Sequence, residues 1–314
     1  GSRAVSRQNA RPACALALAA AALVPAGAPA ADGADPAPDP DDIRLASVHA
    51  VIADLDADDV IYRKHAERIV PIASITKLMT ALVVLDSGEP LGEWLTIVER
   101  REAAPNNAYT HLRPGSELQR GDLLRLALMA SENHAAYVLA RHHPGGLEAF
   151  VADMNAKARS LGMEQTKFVD PSGLDTANRS TAADLLALVE AAAGHRTIRD
   201  YTQTTHFTAR FRSPRYTLRY GNTNVLVYRD HWDVRLTKTG YLDEAGRCLV
   251  MLTRIDGRQV GMVLLDSFGT RSPIGDAGRI RRWLRTGKGG PVAAAARRYE
   301  RRRLADYASA QRPE

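Results

Sequence analysis

The order of elements along the chain predicts an α+β fold in which an antiparallel sheet is flanked by helices. Residues 47–54 and 60–63 have the alternating, β-branched character of strands and are joined by an acidic turn at 56–59. Near the other end, 247–255 and 259–265 flank Asp256-Gly257, a dipeptide suited to a tight hairpin. Between these two pairs the apolar spacing is mostly helical. Strands, then helices, then strands, then a helix imply one sheet drawn from both chain ends. The helices then form an insert at about 85–200, making a helical subdomain beside the sheet.

In chain order, residues 1–30 read as an export signal. Arg3, Arg7 and Arg11 precede an unbroken apolar run at 13–24, and Ala28-Pro29-Ala30 offers a small-x-small cleavage site. The run is too short to span a bilayer, which needs roughly 20 apolar residues. Residues 31–45, rich in Pro, Asp and Ala, read as a flexible linker, and 46–287 as the globular domain. From Ser74, Leu78, Leu82 and Leu85 recur at helical spacing, with a stop at Ser87-Gly88. Asp122 is placed to cap a helix at 123–129 that breaks at Ser131-Glu132-Asn133. Helices at 134–141 and 147–161 follow, then one at 181–193 capped by Ser180. Short strands are expected at 205–211, 216–220 and 235–240, and a closing helix at 277–284. The tail, 288–314, is basic and rich in Ala and Arg. With Tyr299, Leu304 and Tyr307 as its only bulky apolar residues, it reads as solvated and as no membrane anchor.

The 314 residues, 45% hydrophobic and 25% charged, have the balance of a globular protein. A net charge of +6 favours anionic partners, but the basic residues are spread widely, which argues against nucleic acid. Without the leader, Cys248 is the last cysteine and no intrachain disulfide can form. His134, His142 and His143 lack metal-ligand spacing and read as surface histidines, so neither a metal nor a cofactor is expected.

Chemistry concentrates in three short motifs. Ser74 and Lys77 are three residues apart at a helix start, so they share a face one turn apart. A serine hydroxyl is a poor nucleophile until a base takes its proton, and lysine is that base only when its own proton has been displaced. Ser-x-x-Lys alone is weak: chance gives roughly a quarter of a match in such a composition. Ser131-x-Asn133 falls in a break between helices, and Lys238-Thr239-Gly240 on a strand preceding a hairpin. Taken together the three motifs are specific. The bland alternative, Ser74 as a helix cap and Lys77 as a solvated lysine, leaves the other two unexplained.

This constellation resembles the penicillin-binding, serine β-lactamase-like superfamily. The flanking text at 71–80, 126–133, 171–174 and 236–240 is similar to the low-molecular-mass DD-peptidases, closest to their endopeptidase branch. The resemblance runs from about residue 46 to 287. It implies a transpeptidase-like α/β part beside a helical one, with the active site between them. Ser74 would be the acylated nucleophile, Lys77 its base and Ser131 the proton relay to the leaving amine. Asn133 would hold the substrate amide and orient Lys77. Lys238 and Thr239 would grip the carboxylate beside the scissile bond, and Lys238 would also be the cation that depresses Lys77. Gly240 would let an extended peptide approach the strand edge. The oxyanion hole would use the backbone N–H groups of Ser74 and Tyr241.

The implied function is a periplasmic serine DD-endopeptidase that cleaves D-alanyl-diaminopimelate cross-links in peptidoglycan and is covalently inhibited by β-lactams. The same site would serve a D-alanyl-D-alanine carboxypeptidase, because both substrates present a carboxylate next to the scissile amide. Ser172 stands where some carboxypeptidases have His, and the tail after Gly287 leaves no room for their β-rich C-terminal domain. Both departures favour the endopeptidase. A class A β-lactamase would need a Glu-x-x-Leu-Asn string, which does not occur. A non-catalytic wall-binding penicillin sensor is the rival outside enzymes.

Overall fold

The computed structural model describes residues 38–101 and 109–310, so the expected export signal lies outside the described residues. The chain runs through β1 (Ser47–Asp54), β2 (Asp59–Lys64) and the two-residue β3 (Val70–Pro71). A single 3-10 turn, Ala73–Ile75, leads directly into α1 (Thr76–Asp86). The short strands β4 (Trp94–Thr96) and β5 (Glu117–Gln119) pair before α2 (Arg120–Met129), α3 (Asn133–Arg141) and α4 (Gly146–Ser160). Next, β6 (Arg179–Ser180) pairs back onto β3 and precedes α5 (Ala182–Gly194) and α6 (Arg196–Thr202). A ribbon of β7 (His206–Phe211) and β8 (Tyr216–Gly221) leads to the hairpin strands β9 (Asp233–Leu242), β10 (Gly246–Ile255) and β11 (Arg258–Ser267). The last helices are α7 (Ser272–Thr286) and α8 (Ala294–Ser309).

The main sheet has the order β2-β1-β11-β10-β9, so strands from both ends of the domain share it. β1 pairs antiparallel with β11, Ala50 opposite Leu264 and Ile52 opposite Met262. Side chains alternate across the strands. Val51, Val250, Leu252 and Val263 pack into the larger core with α1 and α5. Their neighbours Ile52, Leu249, Met251 and Met262 pack beneath α7 against Ile280 and Trp283. Burial on both faces explains why β1 reads as an unbroken apolar run. α1 is enclosed as its bulky surface predicts: every residue from Thr76 to Val84 is buried. That burial includes Lys77.

Two caps differ from expectation. α2 begins at Arg120, with Asp122 in its first turn and not at its cap. Arg120 is only 2% exposed, and it donates to Pro90 O at 3.3 Å and pairs with Glu93, which extends the helix backwards. α5 is capped by Thr181, whose Oγ1 accepts from Asp184 N at 3.0 Å; Ser180 Oγ instead meets Thr166 Oγ1 at 2.6 Å.

The segments at either end of the domain are more integrated than their composition suggests. Ile43 and Leu45, assigned to a linker, are buried under α7, and Trp283 Nε1 donates to Asp39 O at 2.9 Å. The tail is docked. Asp266, 1% exposed at the end of β11, accepts from Tyr299 OH at 2.5 Å, Tyr307 OH at 2.7 Å and Arg303 Nε at 2.8 Å. A helix held by a polar cluster shows no apolar stripe, so hydropathy alone reads it as solvated. Among the described residues, no helix is long and apolar enough to cross a membrane.

Candidate active site

Ser74 sits in the 3-10 turn and not at a helix cap, and no side-chain hydrogen bond caps α1. Its predecessor Ala73 has φ +47, a left-handed conformation that lifts the turn out of the helix line. One turn on, Lys77 Nζ lies 2.7 Å from Ser74 Oγ, 2.7 Å from Asn133 Oδ1 and 2.8 Å from Ser172 O, with Ser131 Oγ at 3.4 Å. The two carbonyl oxygens can only accept, so they take two Nζ–H bonds. The third tetrahedral direction points at Ser74 Oγ. A neutral amine places its lone pair there and accepts the serine proton.

The environment supplies that neutral state. Burial drives Lys77 down to about 7, opposed by the charges of Asp170 and Glu132. Lys238 is 1% exposed and also held well below its ordinary value, by burial first and then by repulsion from Lys77. Desolvation is the larger cause at both lysines, and their mutual repulsion acts in the same direction. Lys238 Nζ donates to Thr239 O at 2.9 Å.

The loop from Asp170 to Asn178 belongs to the site although it carries none of the three motifs. Asp170 Oδ1 accepts from Ser172 N at 2.6 Å, Ser172 Oγ at 2.6 Å and Gly173 N at 2.8 Å, while Oδ2 accepts from Asp175 N at 2.8 Å. Asn178, fully buried, donates to Thr76 Oγ1 at 3.1 Å and to Asp170 O at 2.9 Å. These bonds aim Ser172 O at Lys77 and Pro171 O at Thr80 Oγ1, 2.6 Å away. Gly173 is required: its φ is +84, and a Cβ there would lie 1.9 Å from Ala73 O. The sequence signal for this loop was Asp-Pro-Ser-Gly followed by Asn178, a cluster of turn formers.

Ser131 holds a left-handed φ of +57 in the break between α2 and α3. Glu132 then caps α3, accepting from His134 N at 3.1 Å, so its carboxylate is committed locally as its helix-break position suggests. His134 is buried, not at the surface: it stacks on Tyr137 and its Nε2 meets Val98 O at 2.8 Å. Among the described residues no group of three or more His, Cys, Asp or Glu side chains is placed to hold a metal.

On β9, Thr239 Oγ1 lies 2.6 Å from Thr223 Oγ1, tying the strand to the loop before a 3-10 turn at Val225–Tyr228. A Cβ on Gly240 would meet Ser74 N at 3.1 Å and Ile72 O at 3.2 Å. The glycine therefore makes room for the nucleophile turn. Its effect is to bring β9 against the Ser74 backbone. Ser74, Ser131, Asn133, Thr239, Gly240 and Tyr241 line one cleft of about 910 Å³. Cys248 lines it too, but burial pushes its thiol up to about 12, so it stays protonated. A second hollow of about 840 Å³, bordered by Arg68, Arg179 and Tyr307, contains neither this serine nor this lysine.

A serine against a buried lysine of lowered pKa, between a helical part and the edge of an antiparallel sheet, is the arrangement of a serine D-Ala-D-Ala peptidase. The chain belongs to the D-alanyl-D-alanine carboxypeptidase family, whose model matches residues 35–269. It is 48% identical over 267 residues to the D-alanyl-D-alanine endopeptidase of Escherichia coli, covering 85% of this chain and 86% of that protein. The Pseudomonas aeruginosa D-alanyl-D-alanine endopeptidase is 46% identical over 260 residues, covering 83% and 84%. Among solved structures, a mutant of a Streptomyces DD-transpeptidase superposes with a TM-score of 0.70 at 28% identity, covering 77% of this chain and 98% of that one. A Listeria monocytogenes penicillin-binding protein in its cefotaxime-bound form gives 0.65 at 28% identity, covering 75% and 95%.

Proposed function

We propose that the protein is an exported DD-endopeptidase that opens D-alanyl-diaminopimelate cross-links of peptidoglycan through an acyl-enzyme on Ser74. One observation carries the reading: Ser74 Oγ lies 2.7 Å from Nζ of Lys77, a lysine with no exposed surface. Ser74 Oγ attacks the carbonyl carbon of the D-alanine while its proton passes to Lys77 Nζ. The backbone N–H groups of Ser74 and Tyr241 receive the oxyanion. As the C–N bond breaks, Ser131 relays that proton to the leaving amine, and water later cleaves the ester to free the carboxylate. Asn133 orients both Lys77 and the substrate amide. Lys238 and Thr239 bind the carboxylate on the leaving side, where the arriving anion favours the ammonium form of Lys238.

β-Lactams acylate the same serine and remain attached. The two carboxylates that Lys77 feels are already engaged: Asp170 holds its loop, and Glu132 caps α3. Neither is committed to activating a deacylating water, which supports inhibition over β-lactamase turnover. Similarity to relatives named as endopeptidases supports the cross-link reading, while the carboxypeptidase reading shares every residue named above. Incubation with cross-linked muropeptides separates the two. Conversion of dimers to monomers is expected, and Ser74→Ala should abolish it while leaving wall binding intact. Release of terminal D-alanine with dimers untouched would move the assignment to a carboxypeptidase, and cleavage undiminished in the alanine variant would refute the serine mechanism.

A further inference from the structure

The cleft that holds Ser74 is more cationic than the three motifs require. Its lining includes Arg229, Arg247 and Arg271 and no carboxylate side chain. None of the three is ion-paired among the described residues, whereas Arg212, Arg235, Arg285 and Arg303 each have an acidic partner. Unpaired arginines converging on a concave site act as a fixed positive field and as planar forks for carboxylates.

Arg247 is held for that purpose. It stands opposite Tyr241 in the β9–β10 register, and its guanidinium lies 3.8 Å from the centre of the Tyr241 ring. Stacking fixes the plane of the guanidinium while leaving its N–H edge available. Tyr241 is itself anchored, its hydroxyl bonded to Asp243, and it follows Gly240, the residue packed against the Ser74 turn. Arg229 reaches the same cleft from the exposed end of the segment that begins at Thr223, the partner of Thr239.

A leaving D-alanine carries one carboxylate, already matched by Lys238 and Thr239. A leaving peptide strand carries that carboxylate and others farther out. We propose that Arg247 and Arg229 form a subsite for the additional carboxylates of the acidic peptide branch that leaves when a cross-link is cut. The proposal rests on the endopeptidase reading and names the feature that selects a branched anionic leaving group over a single amino acid.

The test measures how strongly a cross-linked muropeptide dimer competes with fluorescent penicillin for Ser74, using the full chain and the double variant Arg229→Gln/Arg247→Gln. A second dimer with its acceptor-strand carboxylates amidated is run in parallel. The double variant is expected to need about tenfold more of the acidic dimer for half-inhibition, the loss of one good charge-assisted contact. Penicillin labelling without competitor should fall by much less than that factor. The amidated dimer should compete equally weakly with both proteins. Equal competition by the acidic dimer in both proteins overturns the subsite, as does a loss that persists in full with the amidated dimer or one matched by lost penicillin labelling. If the wild type binds the acidic dimer more tightly than the amidated one but leaves both uncut, the endopeptidase reading falls and the subsite stands.

Discussion

Acylation should titrate with Lys77. The perturbation is pH, and its size follows from burial: Lys77 lies at about 7 instead of its ordinary 10.5. At neutral pH about half the molecules then carry the unprotonated amine, roughly a thousandfold more than a solvated lysine provides. Below that point the neutral fraction falls tenfold per pH unit. Second-order acylation by a fluorescent penicillin, followed by stopped-flow from pH 5 to 9, should therefore rise about fiftyfold from pH 5 to 7 and level off above about pH 8. Glu132→Gln removes a charge that favours the ammonium form and should move the rising limb to lower pH. A rate flat between pH 5 and 8, or one still climbing at pH 9, would refute the reasoning that a desolvated Lys77 is the base.

Other expectations follow from the same geometry. Because Lys77 is protonated in the unfolded chain and neutral when folded above about pH 7, unfolding takes up a proton and stability rises with pH from there towards 10.5. From pH 7 to 9 the wild type should thus gain up to about 3 kcal/mol relative to Lys77→Met in urea unfolding; parallel pH curves would contradict the shift. Gly173→Ala forces a Cβ to 1.9 Å from Ala73 O at a residue with φ +84. It should cost more than about 3 kcal/mol and abolish penicillin labelling, whereas a stable, labelled variant would show that the Ser74 turn is not held by this loop. Arg303→Ala removes the cation from buried Asp266 and should release α8, seen as fast amide exchange over 294–309 with penicillin labelling retained. Unchanged protection of α8 would deny Arg303 that role.

Much of the fold was legible because the signals were local. Asp256-Gly257 marks the β10–β11 turn, and the spacing of Leu78, Leu82 and Leu85 marks α1. The three motifs were legible as chemistry because each carries its own conformation. What escaped was set by tertiary contact. Ile43 and Leu45 lie in Pro- and Asp-rich text, yet α7 offers them a buried face. The tail has too little apolar surface to announce docking, because an anion at Asp266 holds it. His134 looks like any polar residue until Val98 O and Tyr137 enclose it. At Gly240 the motif shows a missing side chain but not that the Ser74 turn is the neighbour packed against it.

β9 is the last strand of its sheet, and the nucleophile turn packs beside it at Gly240. A peptide laid along that border enters from the side, with neither of its ends having to pass through an opening. A cross-link has no free end at the bond to be cut, since glycan strands continue on both sides of it. An enzyme built around an open border can meet such a bond in the middle of a mesh, whereas a closed pocket could take only a chain terminus.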